Sequence, residues 1–372
     1  MGSVNTNSST AATVDLDAYQ RNLRSIAARV APAELMAMVK ANAYGHGLLP
    51  MARAAVRAGI RFLGVLDAES ALAVRRADMT ADVTEKVRLF AWLFGPHENY
   101  RQLIDADIDL GISHVHQLER IAAAGSSRVA RLHLKIDTGL HRNGASEVDW
   151  PGFVLRALEL QRSGVVEVYA VWTHIAEASE IEDTLAIDRF ETGIAVAEEL
   201  GARFALRHLA ASAAGFLRSE ARFDLVRVGA FTYGIAPGDG IGPAELGLEP
   251  VMTLTSEVSM ISIIESRILA RVPVGYVDGL PSAAAGRCSV TVHGIRCAIV
   301  EVHAGYSTVD VTRTAAAVGD RVELFGAGRA GGATLQEWAD TLGTIGEELA
   351  AHLSVRLERR YLGETSTPRH CA

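Results

Sequence analysis

Two rhythms divide the chain. From Val14 to about Gly240, short apolar runs alternate with longer stretches whose apolar residues recur at helical spacing. The short runs are Leu35–Val39, Phe62–Leu66, Val87–Trp92, Asp109–Ile112, Ala130–Ile136, Glu167–Trp172, Phe204–Leu209 and Leu225–Val228. Runs of this length and composition read as buried strands. Between them, Asp15–Arg29, Leu49–Ala58, Ala68–Ala77, Val115–Ala124, Trp150–Gln161, Leu185–Leu200 and Ala211–Leu217 predict helices. Eight strands alternating with helices predict a (β/α)8 barrel. A doubly wound sheet is the alternative. It would want a GxGxxG turn after its first strand, and none is present.

After Gly240 the period shortens to two. A Gly/Pro-rich stretch at 236–243 marks a linker. Val251–Ile264, Ile268–Pro273, Cys288–Val292, Ile295–Val302, Thr308–Val311 and Arg321–Phe325 then predict short strands. One helix is expected at Leu335–Leu342, followed by a charged tail. The fold class is α/β: an N-terminal (β/α)8 TIM-like barrel plus a C-terminal mostly-β domain. The division is 14–240 for the barrel and 241–372, with an N-terminal strand at about 1–13, for the β domain. There is no internal repeat or low-complexity tract.

Composition narrows the function classes. With 372 residues, 49% hydrophobic and 22% charged, the chain is too apolar for a disordered protein and lacks coiled-coil or collagen patterning. A net charge of −8 argues against nucleic-acid and anionic-membrane partners. Cys288, Cys297 and Cys371 are too few and too scattered for a disulfide framework or a CxxC metal site. A reducing, cytoplasmic setting is the expectation. The first dozen residues lack a signal peptide's basic and apolar regions, and no apolar run has the ~18 residues of a membrane span.

Candidate chemistry starts at Lys40, in Met-Val-Lys-Ala-Asn-Ala-Tyr-Gly-His-Gly at 38–47. Catalytic side chains gather where barrel strands end. An apolar mouth favours the neutral amine, which suits Schiff-base chemistry. Taken alone, such a lysine reads equally as a snorkelling surface charge. The string around it decides the matter, because it resembles the cofactor-binding signature of the alanine racemase family. So do 13–23, 135–144 (Lys-Ile-Asp-Thr-Gly-Leu-His-Arg-Asn-Gly), 173–178 (Thr-His-Ile-Ala-Glu-Ala), 208–214, 227–237 and 273–279 (Pro-Val-Gly-Tyr-Val-Asp-Gly), in order and at compatible spacing.

The resemblance implies a fold-type III enzyme using pyridoxal 5'-phosphate (PLP), with an amino-acid substrate and a homodimer whose sites include residues from both chains. It assigns Lys40 to the Schiff base with PLP. Tyr44, Ser212, Gly229, Ala230 and Tyr361 are assigned to its phosphate, Arg227 to its pyridine nitrogen and His174 to the flank of its ring. An arginine partner leaves that nitrogen unprotonated, making the ring a weaker electron sink. Lys135, often carbamylated in the family, and Arg142 go to the substrate carboxylate side, as does Tyr276. Taken singly, Tyr44 also reads as a core residue, Ser212 as a helix N-cap and Lys135 as a surface charge.

The sequence departs from the family in the second half. Racemisation there uses two bases, the lysine on one face of the α-carbon and a tyrosine on the other. Residues 256–275 contain no aromatic residue, so that tyrosine and its hairpin have no counterpart. The family's Met-Asp pair reads Ala304 and Gly305, and Ala211 stands where an asparagine is usual. Tyr306 is the candidate replacement base, with the alternative that it only fills vacated space. His303 is expected to point back into its own domain. Three functions follow: a racemase or epimerase of a non-standard or larger amino acid with weak or no alanine activity; a one-base decarboxylase, aldolase or other lyase; or a non-catalytic PLP-binding protein.

Overall fold

The computed structural model describes residues 10–77, 86–177, 179–237 and 241–363. Cys371, the tail beyond 363, residues 1–9, Ala178 and linker residues 238–240 lie outside the described residues. The chain forms two compact units. One comprises Leu23–Ala43 and Ala55–Gly229, and the other comprises residues up to Asn22, Tyr44–Ala54 and the chain from Ala230 onward.

Strand β1 (Ala11–Asp15) belongs to the second unit. The first unit is built on β2 (Glu34–Met38), β3 (Phe62–Gly64), β4 (Arg88–Ala91), β5 (Ile108–Ile112), β6 (Ala130–Lys135), β7 (Val166–Trp172), β8 (Leu206–His208) and β9 (Leu225–Val228). All neighbours pair parallel, in the order β8-β7-β6-β5-β4-β3-β2-β9. Backbone bonds from Asp224 N to Arg207 O (3.1 Å) and Arg227 N to Ala210 O (3.2 Å) bridge the two ends, so the barrel is nearly closed. Each predicted barrel strand has a counterpart. The run expected over Phe204–Leu209 pairs only at Leu206–His208. Interior filling is tight: a Cβ on Gly64 would lie 2.4 Å from the Met38 sulfur, so glycine makes room for the methionine.

Helix boundaries follow capping more than periodicity. The helix expected from Leu185 starts at Glu180, because Ser179 accepts from Glu182 N at 3.2 Å and Glu180, Glu182 and Asp183 load the first turn with acid. A helix over Tyr100–Asp105, not anticipated, is capped by Asn99, which accepts from Gln102 N.

The second unit is one nine-stranded sheet. Its other strands are β10 (Met252–Glu257), β11 (Met260–Ile264), β12 (Arg267–Val272), β13 (Ser289–Val292), β14 (Ile295–Val302), β15 (Ser307–Asp310), β16 (Arg321–Phe325) and β17 (Glu358–Leu362). The order is β11-β12-β15-β14-β13-β16-β10-β1-β17. The single run expected over Val251–Ile264 breaks in two. Val258 N bonds Asp320 O (2.9 Å) and Ser259 N bonds Arg271 O (2.8 Å), so the chain changes neighbours there. β11 and β12 pair from Ile264↔Arg267, leaving only Glu265 and Ser266 in the turn. Glu265 has φ 56°, as short hairpin turns require. Leu335–Leu342 is helical as expected, but a second helix follows at Gly346–His352. The charged tail contains β17, which pairs parallel with β1 from Ala11↔Glu358 to Asp15↔Leu362. Its Glu-Arg-Arg-Tyr-Leu sequence is too polar to announce a strand.

Candidate active site

The chemistry-bearing residues of the barrel unit sit at or just beyond the C-terminal ends of its strands, the end where barrel sites are built. Lys40 follows β2 by two residues. Ala41, Asn42 and Ala43 have φ/ψ of 51/52, 53/44 and 53/52°, a left-handed turn closed by Ala43 N to Val39 O at 3.0 Å. Such a conformation costs ~1–2 kcal/mol per L-residue, so the surrounding structure holds the backbone beside Lys40 under strain. Lys135 ends β6, His174 lies two residues past β7, Arg227 lies in β9, and Ser212 opens the short helix Ser212–Leu217 after β8. Ser212 is not the cap residue; Ala211 is, with no side-chain cap bond. The Ser212 hydroxyl instead accepts from Gly229 N at 3.3 Å, which brings together two residues expected at the phosphate.

Burial sets the protonation in this unit. Lys135 is 2% exposed, so the surface-charge reading fails. It donates to Asn143 Oδ1 and lies 4.5 Å from the centroid of the Trp172 ring. Burial, with repulsion from Arg227 and Arg142, pulls its ammonium down to about 7. Arg227 donates through Nη1 to His208 Nδ1 (2.9 Å) and through Nη2 to Thr173 O (2.7 Å) and Leu209 O (3.0 Å), with His174 Nδ1 at 3.1 Å. These bonds leave its Nε–H and one Nη1–H without a partner among the described residues, which suits a further acceptor. Burial drops this guanidinium to about 9. His174 is held well below the usual imidazole range by burial and then by Arg227, Arg142, Lys135 and Lys40, so its ring is neutral. Arg142 is exposed, has no hydrogen bond among the described residues, and is close enough to depress Lys135, His174 and Arg227.

The remaining expected site residues belong to the other unit. Tyr44 is buried, its ring 5.0 Å from that of Tyr233. Burial raises its phenol above the ordinary range. Tyr361, in β17, donates to His46 O at 3.0 Å. A Cβ on Gly47 would lie 2.0 Å from the Tyr361 oxygen, so only glycine, here at φ 108°, permits that approach. Ala230 is buried at the start of a 3₁₀ turn. Tyr276 is 53% exposed. Tyr306 is half-buried in a stack, with the His303 ring 4.3 Å away at 25° and the Arg271 guanidinium 3.6 Å from its centroid. His303 therefore packs on Tyr306 and pairs with Glu301 at 3.0 Å. The 303–306 turn is tied to the Tyr276 segment by Tyr276 N to His303 O and Val277 N to Ala304 O, both 3.0 Å.

Several polar residues beneath the barrel mouth were not anticipated. Asn143 holds Lys135, while His208, His133 and Asp109 lie below Arg227. A signal was present for part of this group. Arg131, His133 and Lys135 alternate along β6, which aims them all at one face, an unusual charge load for a buried strand. Among the described residues no group of three His, Cys, Asp or Glu could hold a metal ion, and no helix is long and apolar enough to cross a membrane.

Residues 14–237 match the family model described as alanine racemase, N-terminal domain, and 252–361 match alanine racemase, C-terminal domain. Alanine racemase from Frankia casuarinae is 40% identical, over 94% of this chain and 96% of its own. That of Salinispora arenicola is 38% identical, over 94% and 98%. Among solved structures, alanine racemase from a D-cycloserine-producing Streptomyces lavendulae superposes with a TM-score of 0.91 at 36% identity, covering 96% of this chain and 98% of that one. The Streptomyces coelicolor enzyme gives 0.90 at 35% identity, covering 95% and 98%.

Proposed function

Because the chain belongs to the alanine racemase family, we propose that it is a PLP enzyme acting at the α-carbon of an amino acid other than alanine, as a racemase or epimerase with a rebuilt second half-site. The fold and use of PLP are those of the family. The observation that carries the narrower reading is the β11–β12 hairpin. Its two-residue turn at Glu265–Ser266, and the absence of tyrosine from 256–275, support the reading that the opposite-face phenol has no counterpart in this segment.

Bound PLP supplies an electron sink for the charge left when the α-proton departs. In this reading Lys40 Nζ holds the cofactor and moves the proton on one face. Ser212, Gly229, Tyr44, Ala230 and Tyr361 bind the phosphate, and Arg227 offers its remaining N–H groups to the ring nitrogen. His174, kept neutral, packs beside the ring. The exposed Arg142 is assigned to the substrate carboxylate, with Lys135 supporting it, and Tyr276 is assigned to substrate binding as well. Tyr306 Oη is the candidate for moving the proton on the other face, the alternative being that its ring, packed by His303 and Arg271, only fills space. The proposed domain division in sequence is 14–240 for the barrel and the rest for the β domain, whereas the compact units assign residues up to Asn22, Tyr44–Ala54 and the chain from Ala230 to the β unit. A homodimer brings the second half-site to each pocket, with a cytoplasmic location, no nucleic-acid partner and no membrane partner.

The test is a panel of amino acids in D2O, following α-exchange, chirality and CO2 release together. Exchange into both enantiomers of a substrate other than alanine, with slow alanine turnover, is the expected result. Bond cleavage, or exchange in one enantiomer only, would instead select the one-base lyase, and cofactor uptake with no turnover a binding protein. A second reading, alanine racemisation itself, is favoured by relatives at 38–40% identity that are alanine racemases. Fast interconversion of L- and D-alanine would establish it and overturn the first.

A further inference from the structure

A chain of buried polar side chains runs from the barrel mouth towards its floor. Arg227 lies in β9, His208 ends β8, His133 is mid-β6, and Asp109 is second in β5. Both histidines are fully buried and Asp109 nearly so. Arg227 Nη1 is 2.9 Å from His208 Nδ1, and His208 Nε2 is 2.9 Å from His133 Nδ1. His133 Nε2 is 3.4 Å from Asp109 Oδ2, a long contact with no nearer partner among the described residues. Arg88 and Arg131 hold Asp109 from beside it, at 2.7 and 2.6 Å. Aromatic rings fix the planes: Trp172 stacks on His208 at 5.7 Å and 9°, and Phe90 on His133 at 4.6 Å and 23°.

Only one proton arrangement satisfies these contacts. A guanidinium can only donate, so His208 Nδ1 carries a lone pair. Burial and Arg227 keep His208 neutral, so its single proton is on Nε2 and points at His133 Nδ1. His133 Nδ1 must accept, which puts the His133 proton on Nε2, facing a carboxylate. Burial alone would raise Asp109, but His133, Arg88 and Arg131 outweigh it and keep it ionised. Any other assignment sets two N–H groups or two lone pairs against each other, or buries a second cation beside Arg227.

We propose that Asp109, His133 and His208 are positioning residues that fix the orientation and proton state of Arg227, so that it presents a constant donor to the cofactor ring. The proposal rests on the reading of Arg227 as the ring-nitrogen partner. Asp109 polarises His133, which makes His208 Nδ1 a stronger and immovable acceptor for Nη1.

The experiment uses the PLP-bound protein with 15N-labelled histidine. Both rings should be neutral Nε2–H tautomers from pH 6 to 8; a charged ring or an Nδ1–H tautomer at either position overturns the proposal. Two variants then separate wiring from packing. His133→Phe keeps an aromatic ring against Phe90 but cannot accept from His208. His133→Gln offers a carbonyl to His208 and an amide N–H to Asp109. Loss of an outer partner of this kind typically costs ~10–100-fold, so His133→Phe should lower kcat at least ~10-fold with KM little changed and shift the absorbance maximum of bound PLP. His133→Gln should recover most of that loss. Equal behaviour of the two variants would show that position 133 only fills space. If neither variant folds, the wild-type tautomers alone decide. Failure of the underlying reading has a different signature: unchanged PLP absorbance when Arg227 itself is replaced by lysine.

Discussion

The barrel and the 271–306 part of the β unit keep their ionisable residues in different ways. In the barrel, Lys135, His208 and Arg227 are buried with His174 half-buried beside them, and burial lowers all four, leaving both histidines neutral and Arg227 charged. In the β unit, Tyr276 is more than half exposed and Tyr306 is half-buried in a stack with His303 and Arg271. Chemistry needs groups whose state and direction are set before the substrate arrives. The barrel meets that condition within its own fold. Tyr276 and Tyr306 of the β unit are not held in that way.

The harshest test of the contrast is Lys40→Ala. If the barrel half is the pre-organised one, this change removes cofactor attachment and lowers activity at least ~10,000-fold, while neighbouring binding groups stay in place. Borohydride reduction of the wild-type holoenzyme followed by peptide mapping should label Lys40. A label on another lysine would move the catalytic centre out of the left-handed turn.

Next in size is a test of a tightly fixed contact in the β unit. Gly47→Ala adds a Cβ where the Tyr361 oxygen lies 2.0 Å away, at a φ of 108°. We expect about 2–3 kcal/mol of lost stability, from overpacking and a conformation alanine resists. Denaturant unfolding with and without PLP measures it. A phosphate role for Tyr361 predicts a larger loss when PLP is present, because binding energy then adds to folding stability.

How far the sequence disclosed these features depended on whether they leave a periodic or positional mark. The eight barrel strands did, because a strand buried on both faces reads as a continuous apolar run. Lys40 and the Lys135–Arg142 segment were visible as charges where apolar runs end. β17 was not, since its partner β1 is more than 340 residues away and its polar sequence becomes a strand only through that pairing. The left-handed turn after Lys40 left almost no trace: of its residues only Asn42 is a type that tolerates this conformation readily. The Arg227–His208–His133–Asp109 chain joins four strands, and no local pattern in one strand specifies it. The split of Val251–Ile264 had the same cause, a change of partner that an unbroken apolar run conceals.

A smaller effect separates the units by pH. The Lys135 ammonium is brought from 10.5 to about 7 by burial and nearby arginines. Between those values the unfolded chain holds a proton that the folded one has released, so stability rises with pH across that window. It is lost again as pH falls through about 7. One proton corresponds to about 1.4 kcal/mol per pH unit. Lys135→Met should remove this part of the slope and raise stability most on the acid side. Denaturation midpoints of the apo-protein from pH 6 to 9.5 give the answer. An unchanged slope would mean that Lys135 is solvated and that the barrel mouth is less dry than its geometry implies.

The smallest expected effect bears on the β unit's chemistry. A phenol acting as the opposite-face base contributes ~100- to 10,000-fold, and losing it stops exchange in one direction while the Lys40 direction survives. For Tyr306→Phe we expect less than ~10-fold in either direction. The ring keeps its contacts with His303 and Arg271 in phenylalanine, so packing is preserved and only the hydroxyl is tested. Both faces of the ring are already engaged within the unit, and the 303–306 turn is pinned to Tyr276 and Val277 through backbone bonds. A base must reach the α-carbon's proton, whereas this ring is held by its own neighbours. Following α-deuterium exchange separately from each enantiomer distinguishes the cases. A one-directional loss above ~100-fold would show that the stack aims the hydroxyl instead of storing it, and would make the β unit as pre-organised as the barrel.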